Sequence, residues 1–188
     1  MVLTRNFFQY NGDFYVQQHG TAMGSSVAPS VACLYVSRFE AEFVLTHINP
    51  FIDNISFFKR YIDDVLMIWR GSLAALEEFG LWLNCLNPFL HFTMTQSRSE
   101  ISFLDLRIFA KYNTLLTEVF YKPTDRNNLL KFDSSHPRSL RENLPIGQFL
   151  RLRRNCSEVE TYKRHAKLLG DKLSVRNYPQ RFIRNARK

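Results

Sequence analysis

The fold of this chain is decided by residues 57–69, which read Phe57-Phe58-Lys59-Arg60-Tyr61-Ile62-Asp63-Asp64-Val65-Leu66-Met67-Ile68-Trp69. Two apolar runs that favour strands flank an adjacent pair of aspartates. Neighbouring side chains on a strand point to opposite faces, so Asp63 and Asp64 can face one ligand only if the chain reverses at the pair. Aspartate tolerates turn geometry, and the stretch therefore predicts a β-hairpin whose tight turn carries both carboxylates.

The chemistry of this pair has two interpretations. Two carboxylates at one turn repel each other unless a cation lies against them. Magnesium is the natural candidate, because it binds one or two carboxylates and completes its shell with substrate phosphates. The alternative is a solvated Asp-Asp turn that binds nothing, and the pair alone does not decide between the two.

Composition bounds the class of protein. The chain has 188 residues, 45% of them hydrophobic, and 17 phenylalanines, which predicts a globular fold of one domain or one domain with a small appendage. The longest apolar candidate, residues 27–45, contains Arg38, Glu40 and Glu42 and is too charged to span a membrane. The N-terminus does not resemble a secretory signal. Three widely spaced cysteines favour a reduced, intracellular protein, nuclear or cytoplasmic, that is neither secreted nor membrane-bound.

The net charge of +8 is unevenly distributed along the chain. Residues 1–121 contain 8 Lys and Arg against 11 Asp and Glu, whereas residues 122–188 contain 17 against 6. A basic cluster of this kind usually binds polyanions, above all nucleic-acid phosphates. The alternative is a basic helical surface that only keeps the protein in solution.

The order of predicted elements indicates an α+β fold. A hairpin with an Asn11-Gly12 turn precedes a helix over residues 26–45, the acidic hairpin, and a helix capped by Ser72. Strands are predicted over residues 90–95, 101–109 and 115–121. A polar link at residues 122–128 separates a first domain, 1–121, from a basic helical region, 122–188. Within that region Pro145 is predicted to open a helix, residues 157–160 to cap the next, and a short basic helix to follow Pro179.

Several motifs together resemble a known family. Tyr61-Ile62-Asp63-Asp64 looks like the YxDD signature, motif C, of reverse transcriptases, and Met23-Gly24 with Ala28-Pro29 before a helix resembles their motif B. The remaining motifs are Phe103-Leu104-Asp105, Thr124-Asp125-Arg126-Asn127 and Gly147-Gln148-Phe149-Leu150-Arg151-Leu152-Arg153-Arg154. In this order they are similar to the reverse transcriptases of Penelope-like retroelements, RNA-directed DNA polymerases related to telomerase.

This resemblance implies a fold and a mechanism. Residues 1–121 would form the C-terminal half of a right-hand polymerase palm, an antiparallel sheet packed on helices that contains motifs B to E. Residues 122–188 would form a helical thumb. Such enzymes join deoxynucleotides to a DNA primer on an RNA template, with two Mg²⁺ ions, or Mn²⁺ in their place, at the reacting oxygens.

The resemblance also implies roles for individual residues. Asp63 and Asp64 would be the catalytic metal ligands, and Tyr61 would lie beside the primer terminus. The nucleotide pocket and template side would be lined by Met23, Gly24, Ala28 and Pro29. Residues 101–121 would help hold the primer end. Nucleic acid would be gripped by the basic side chains of the thumb, namely Arg151, Arg153, Arg154, Lys163, Arg164 and Lys167.

Two features of the reverse-transcriptase pattern are not found in the sequence. Motif A, which supplies a third carboxylate, and the fingers, which supply cations for the nucleotide phosphates, have no counterpart before residue 23. The chain is therefore expected to be a partial polymerase, motif B to thumb, that does not polymerise unaided. The alternatives are a non-catalytic nucleic-acid-binding remnant of a retroelement and a degraded reading frame without a stable fold.

Overall fold

The computed structural model describes residues 6–18, 20–22 and 24–187. These residues form small antiparallel sheets and five α-helices, so the prediction of a mixed α+β fold is confirmed. The chain divides into two compact units, unit 1 up to Met94 and unit 2 from Thr95 onward. The boundary expected between residues 121 and 122 concerns polymerase subdomains and stays a prediction. Among the described residues no helix is both long and apolar enough to cross a bilayer.

Unit 1 begins with the predicted hairpin and helix. Strands β1 (Phe7–Tyr10) and β2 (Asp13–Val16) pair antiparallel around Asn11 and Gly12, which both have positive φ, as a type I′ turn requires. Helix α1 (Ala28–Phe39) has a proline in its first turn, where the missing N–H is tolerated. It continues as a π-helical segment, Glu40–Val44.

The acidic hairpin and a second helix complete unit 1. Strands β3 (Ile55–Tyr61) and β4 (Asp64–Trp69) pair antiparallel, and helix α2 (Leu73–Cys85) follows them. The Ser72 hydroxyl accepts a hydrogen bond of 3.1 Å from the Ala75 amide and caps α2 as predicted. The buried core of this unit consists of Phe39, Val44, Leu76, Phe79 and Leu83.

Unit 2 packs one sheet against three helices. The sheet contains β5 (Glu100–Phe103), β6 (Leu106–Lys111) and β7 (Thr114–Val119) in that order, all antiparallel. The helices are α3 (Arg138–Asn155), α4 (Val159–Val175) and α5 (Gln180–Arg187). Their core includes Val119 of β7 together with Phe149, Leu152, Cys156, Ala166, Leu169, Leu173, Tyr178 and Ile183.

Several predicted elements differ from the observed ones. Residues 90–95 form no strand, and the strand predicted over 101–109 is split by a turn at Leu104 and Asp105. Helix α3 begins seven residues before Pro145, which lies buried inside the helix and contributes to its packing. No capping box forms at Ser157, because its hydroxyl instead accepts a hydrogen bond of 2.9 Å from the Thr117 amide of β7. Tertiary packing overrides the local signal in the last two cases.

Candidate functional site

The turn between β3 and β4 carries the predicted catalytic pair. Tyr61 pairs with Asp64, so the two residues of the turn are Ile62 and Asp63, and Asp64 is the first residue of β4. The chain therefore reverses one residue earlier than the sequence suggested. All four residues from Tyr61 to Asp64 are exposed. The register places both carboxylates at the solvent-facing tip of the hairpin.

This turn has an unusual backbone. Ile62 has φ of 57°, a left-handed conformation that a β-branched residue rarely adopts. The favoured two-residue hairpin turns place glycine, asparagine or aspartate at positions with positive φ. A non-glycine residue in this conformation costs about 1–2 kcal/mol. Strain of this kind persists only where surrounding contacts hold it, and it is concentrated at functional sites.

The carboxylates themselves are free. Neither the Asp63 nor the Asp64 side chain makes a hydrogen bond or ion pair with any residue that the structure describes. Two solvent-facing carboxylates fit part of the shell of Mg²⁺, which takes one or two protein carboxylates and fills its other positions with water or phosphate oxygens. The described residues contain no cluster of three or more His, Cys, Asp and Glu side chains that could hold a metal ion. Within the described part of the chain, the pair can thus supply two carboxylate ligands.

Arg60 connects this hairpin to helix α1. Its guanidinium donates to the Glu40 carboxylate at 2.5 Å, to the Ser37 hydroxyl at 2.7 Å and to the Cys33 carbonyl at 3.4 Å. It also donates to the Ile62 carbonyl at 2.7 Å. The hydrogen bond to Glu40 outweighs the effect of burial and raises the pKa of the Arg60 guanidinium. Sequence reasoning missed this residue, although a lone arginine on the core-facing side of an apolar strand is a signal of pairing.

The residues predicted to line the nucleotide pocket are distributed around the start of α1. Gly24 has φ of 91°, a conformation that favours glycine. Ala28 is buried and Pro29 is exposed, both in the first turn of the helix. Met23 lies outside the described residues. The predicted loop-to-helix arrangement is therefore present, while the role assigned to it stays a prediction.

The six cations predicted to grip nucleic acid divide into two groups. Arg151 pairs with Asp105 at 2.5 Å, Lys163 with Glu160 at 2.7 Å, and Arg164 with Glu118. The other three, Arg153, Arg154 and Lys167, are exposed and form no ion pair with any described residue.

A further set of free cations lies on α5. Arg181, Arg184 and Arg187 are exposed at intervals of three residues and are without an acidic partner in the described part of the chain. Ile183, between them, is buried in the core of unit 2. These arginines were not among the predicted site residues, although the basic helix after Pro179 was.

Glu118 is the buried acid of unit 2. Its side chain is 7% exposed, and it accepts hydrogen bonds from Arg107 at 2.7 Å and from Arg164. His165 Nε2 lies 3.4 Å away. Burial alone would raise the pKa of the Glu118 carboxyl, but hydrogen bonds from Arg107 and His165 and the charge of Arg164 lower it below its usual value. This network ties β7 to α4.

A family model matches the end of the chain. It is that of the animal helix-turn-helix domain, and the match covers residues 128–188, well under half of the chain. The matched residues contain α3, α4 and α5, and the last two helices are joined by the four residues 176–179. No curated protein and no solved structure matches this chain.

Proposed function

We propose that this protein binds nucleic acid through the basic helices of unit 2. The observation that carries the proposal is the set of exposed cations on α3, α4 and α5 that lack an acidic partner among the described residues. Residues 95–188 contain 20 Lys and Arg against 9 Asp and Glu, so ion pairs inside the unit leave most of this charge uncompensated. The likeness of residues 128–188 to a helix-turn-helix domain supports the same conclusion.

Helix α5 is the best candidate for direct contact with a duplex. In a helix-turn-helix arrangement the second helix lies in a groove, and exposed side chains on it reach phosphates and base edges. Arg181, Arg184 and Arg187 line one side of α5, and Asn185 is exposed beside them. Guanidinium groups bind phosphates in a bidentate manner and release the counterions condensed on nucleic acid.

Fluorescence anisotropy with a labelled RNA–DNA duplex tests this proposal. The double variant Arg181→Gln/Arg184→Gln removes two unpaired cations, while Arg138→Gln/Lys111→Gln removes two cations that pair with Glu142 and Glu158. Both lose the same net charge. We expect the first to weaken binding about tenfold or more and to lower the slope of log affinity against log salt by about 0.9 per lost phosphate contact.

The double variant with paired cations shows whether the loss of binding is specific to α5. We expect the Arg138→Gln/Lys111→Gln protein to bind within about threefold of wild type, because its removed cations already have acidic partners. Equal losses of affinity in the two double variants would mean that binding depends on net charge and not on the unpaired arginines of α5. Affinity that does not depend on salt would overturn the proposal.

A second candidate function is nucleotidyl transfer, with this chain as the palm and thumb portion of a reverse transcriptase. It is favoured by the strained turn that presents two free carboxylates, and by the resemblance of residues 23–29 and 61–64 to reverse-transcriptase motifs. When bound, Mg²⁺ supplies positive charge at the attacking and leaving oxygens of the phosphoryl transfer. Asp63 and Asp64 would hold it, exposed Tyr61 would lie against the primer end, and unit 2 would hold the duplex.

Primer extension tests the second candidate separately from binding. Wild-type protein is incubated with an RNA template, a DNA primer, deoxynucleotides and Mg²⁺ or Mn²⁺, beside an Asp63→Asn protein. Extension by the wild type that is lost in the variant would assign the reaction to this turn. Extension that survives Asp63→Asn would exclude it. Duplex binding is expected to persist in both proteins, because Asp63→Asn leaves every basic side chain of unit 2 in place.

A further inference from the structure

Arg60 occupies a position where a charged side chain is not expected. Strand β3 alternates between exposed Phe57, Lys59 and Tyr61 and the partly buried Phe58, which packs against the core of unit 1. Arg60 shares the face of Phe58, and its side chain is only 11% exposed. A guanidinium held out of water needs a paired acid and partners for its remaining donors.

Helix α1 and its continuation supply those partners along one face. Cys33, Ser37 and Glu40 are spaced by four and three residues, so they line a single side of a helix. The Cys33 carbonyl, the Ser37 hydroxyl and the Glu40 carboxylate all accept hydrogen bonds from Arg60. The π-helical segment begins at Glu40, and such segments occur frequently at functional sites.

A further contact of Arg60 is to the turn itself. Nη1 donates to the carbonyl oxygen of Ile62 at 2.7 Å. Ile62 is the residue with φ of 57°, and its carbonyl belongs to the peptide group that leads into Asp63. A hydrogen bond to this carbonyl fixes the orientation of that peptide group, and so fixes the direction in which the Asp63 side chain leaves the turn.

We propose that Arg60 is the positioning residue of the Asp63–Asp64 pair, fixing the turn against α1 so that both carboxylates can bind one divalent cation. The proposal rests on the metal-binding role given above to Asp63 and Asp64. Arg60 touches neither carboxylate and acts only through the backbone of Ile62 and the acceptors on α1. An ordered pair of ligands binds a cation more tightly than a mobile pair, because less conformational entropy is lost on binding.

Two measurements on the full chain test this role. The first is Mn²⁺ affinity, obtained from the paramagnetic broadening of the Asp63 and Asp64 amide resonances. The second is amide hydrogen exchange at Ile62, Asp63 and Asp64 without metal. Arg60→Lys keeps the charge, but an ammonium group cannot replicate the planar fork that joins Glu40, Ser37 and the Ile62 carbonyl. We expect about a tenfold loss of Mn²⁺ affinity and about a tenfold increase in exchange at the turn.

Control variants separate positioning from general stability. Leu83→Ala removes buried side-chain volume from the core of the same unit, and it is expected to lower Tm while leaving both measurements within about twofold of wild type. Glu40→Gln weakens the anchor of Arg60 but keeps its contact with Ile62, and should give an intermediate loss. If Arg60→Lys fails to fold, Glu40→Gln provides the same comparison.

Three possible results would overturn either the positioning role of Arg60 or the metal-binding role of the aspartate pair. Equal changes in Leu83→Ala and Arg60→Lys would reduce Arg60 to a structural residue and overturn the proposal. Wild-type exchange and wild-type Mn²⁺ affinity in Arg60→Lys would overturn it as well. A wild-type protein that binds no Mn²⁺ at Asp63 would overturn the metal role of the pair, and this result is distinguishable because exchange at the turn would still depend on Arg60.

Discussion

Two hairpin turns in this molecule share one backbone design and treat their carboxylates differently. Ile62-Asp63 in unit 1 and Leu104-Asp105 in unit 2 are both two-residue turns, flanked by the pairs Tyr61–Asp64 and Phe103–Leu106. In each, a branched apolar residue has positive φ, 57° at Ile62 and 53° at Leu104, and an aspartate follows it.

The difference lies in where the arginine binds. At the turn of unit 2, Arg151 binds the Asp105 carboxylate itself at 2.5 Å. At the turn of unit 1, Arg60 binds the backbone carbonyl and leaves Asp63 and Asp64 without a partner among the described residues. A neutralised carboxylate stabilises the protein, whereas a free carboxylate on a fixed backbone can bind an external cation. Under the proposed metal role, the same turn serves structure in unit 2 and binds a cation in unit 1.

The largest expected effect comes from replacing each of the two arginines, Arg60 and Arg151, in separate variants. Arg60 and Glu40 have side chains 11% and 14% exposed, so Arg60→Met leaves a largely buried carboxylate without its partner, at a cost of about 3 kcal/mol in the free energy of unfolding. Arg151 and Asp105 are 40% and 63% exposed, so Arg151→Met is expected to cost less than about 1 kcal/mol.

Urea unfolding measures both changes. Both tryptophans, Trp69 and Trp82, lie in unit 1, so their fluorescence follows the unit that contains Arg60. Circular dichroism follows the helices of both units, including α3, which contains Arg151. Similar losses for the two variants would mean that the Arg60 pair is no more important than an exposed one.

Acid is expected to act on the paired carboxylates of unit 2. The pKa of Glu118 is lowered in the folded protein, so its stabilising contribution is fully present above its ordinary value of 4.5 and is lost as the pH falls through the folded pKa. The charge-assisted hydrogen bonds at risk are worth about 1.5–3 kcal/mol together. Glu118→Gln should therefore destabilise unit 2 by that amount at pH 7.

The pH dependence distinguishes Glu118 from the free pair. Urea unfolding at pH 7 and pH 3 should show a smaller difference in Glu118→Gln than in wild type, because the variant has already lost the interaction. Asp63→Asn, which removes a carboxylate without a partner, should keep the wild-type difference. An unchanged difference in Glu118→Gln would contradict the assigned network.

The turn at Ile62-Asp63 could be predicted from the sequence far better than the turn at Leu104-Asp105. The flanking apolar runs and the adjacent acids predicted the β3–β4 hairpin, and the Asn11-Gly12 turn and the Ser72 cap were also predicted correctly. The turn at Leu104 was missed because leucine rarely adopts positive φ, so the run was assigned to one strand. That turn depends on pairing with β7 and on Arg151, contacts that local propensity does not contain.

The residues of the candidate site were also only partly predictable from the sequence. Asp63 and Asp64 were identified from the sequence, but Arg60 was not, because its importance depends on acceptors 20 to 27 residues earlier in the chain. The free and paired cations of unit 2 could not be separated either. Arg164 and Arg153 look alike in the sequence, yet only the former lies against an acid, Glu118 of β7.

Divalent cations should distinguish the two turns directly. At a free Mn²⁺ concentration ten times its Kd, a single site stabilises the folded state by about 1.4 kcal/mol. We expect the fluorescence-detected unfolding of wild type to shift accordingly, the shift to disappear in Asp63→Asn, and Asp105→Asn to keep it, because the Asp105 carboxylate is occupied by Arg151. Loss of the shift in Asp105→Asn would contradict the contrast between the turns.

The smallest effect, and the most specific, concerns the strained residues themselves. Glycine adopts positive φ without the cost of about 1–2 kcal/mol paid by other residues, but it loses about 0.5–1 kcal/mol more entropy on folding. Ile62→Gly and Leu104→Gly should therefore each stabilise their unit by about 0.5–1 kcal/mol. Asn113, at φ of 59° in the β6–β7 turn, is the matched control, since asparagine already tolerates this conformation and Asn113→Gly should change little.

The two glycine variants should differ in how they bind Mn²⁺. The Asp105 carboxylate beside Leu104 is paired with Arg151, so Leu104→Gly should alter stability alone. Glycine at position 62 loosens the peptide that Arg60 holds, so Ile62→Gly should gain stability and yet bind Mn²⁺ more weakly than wild type. Such a loss would show that the unfavourable isoleucine is kept because it orders the carboxylates. Tighter Mn²⁺ binding in Ile62→Gly would mean that the turn must move to bind the cation, and that Arg60 restrains it.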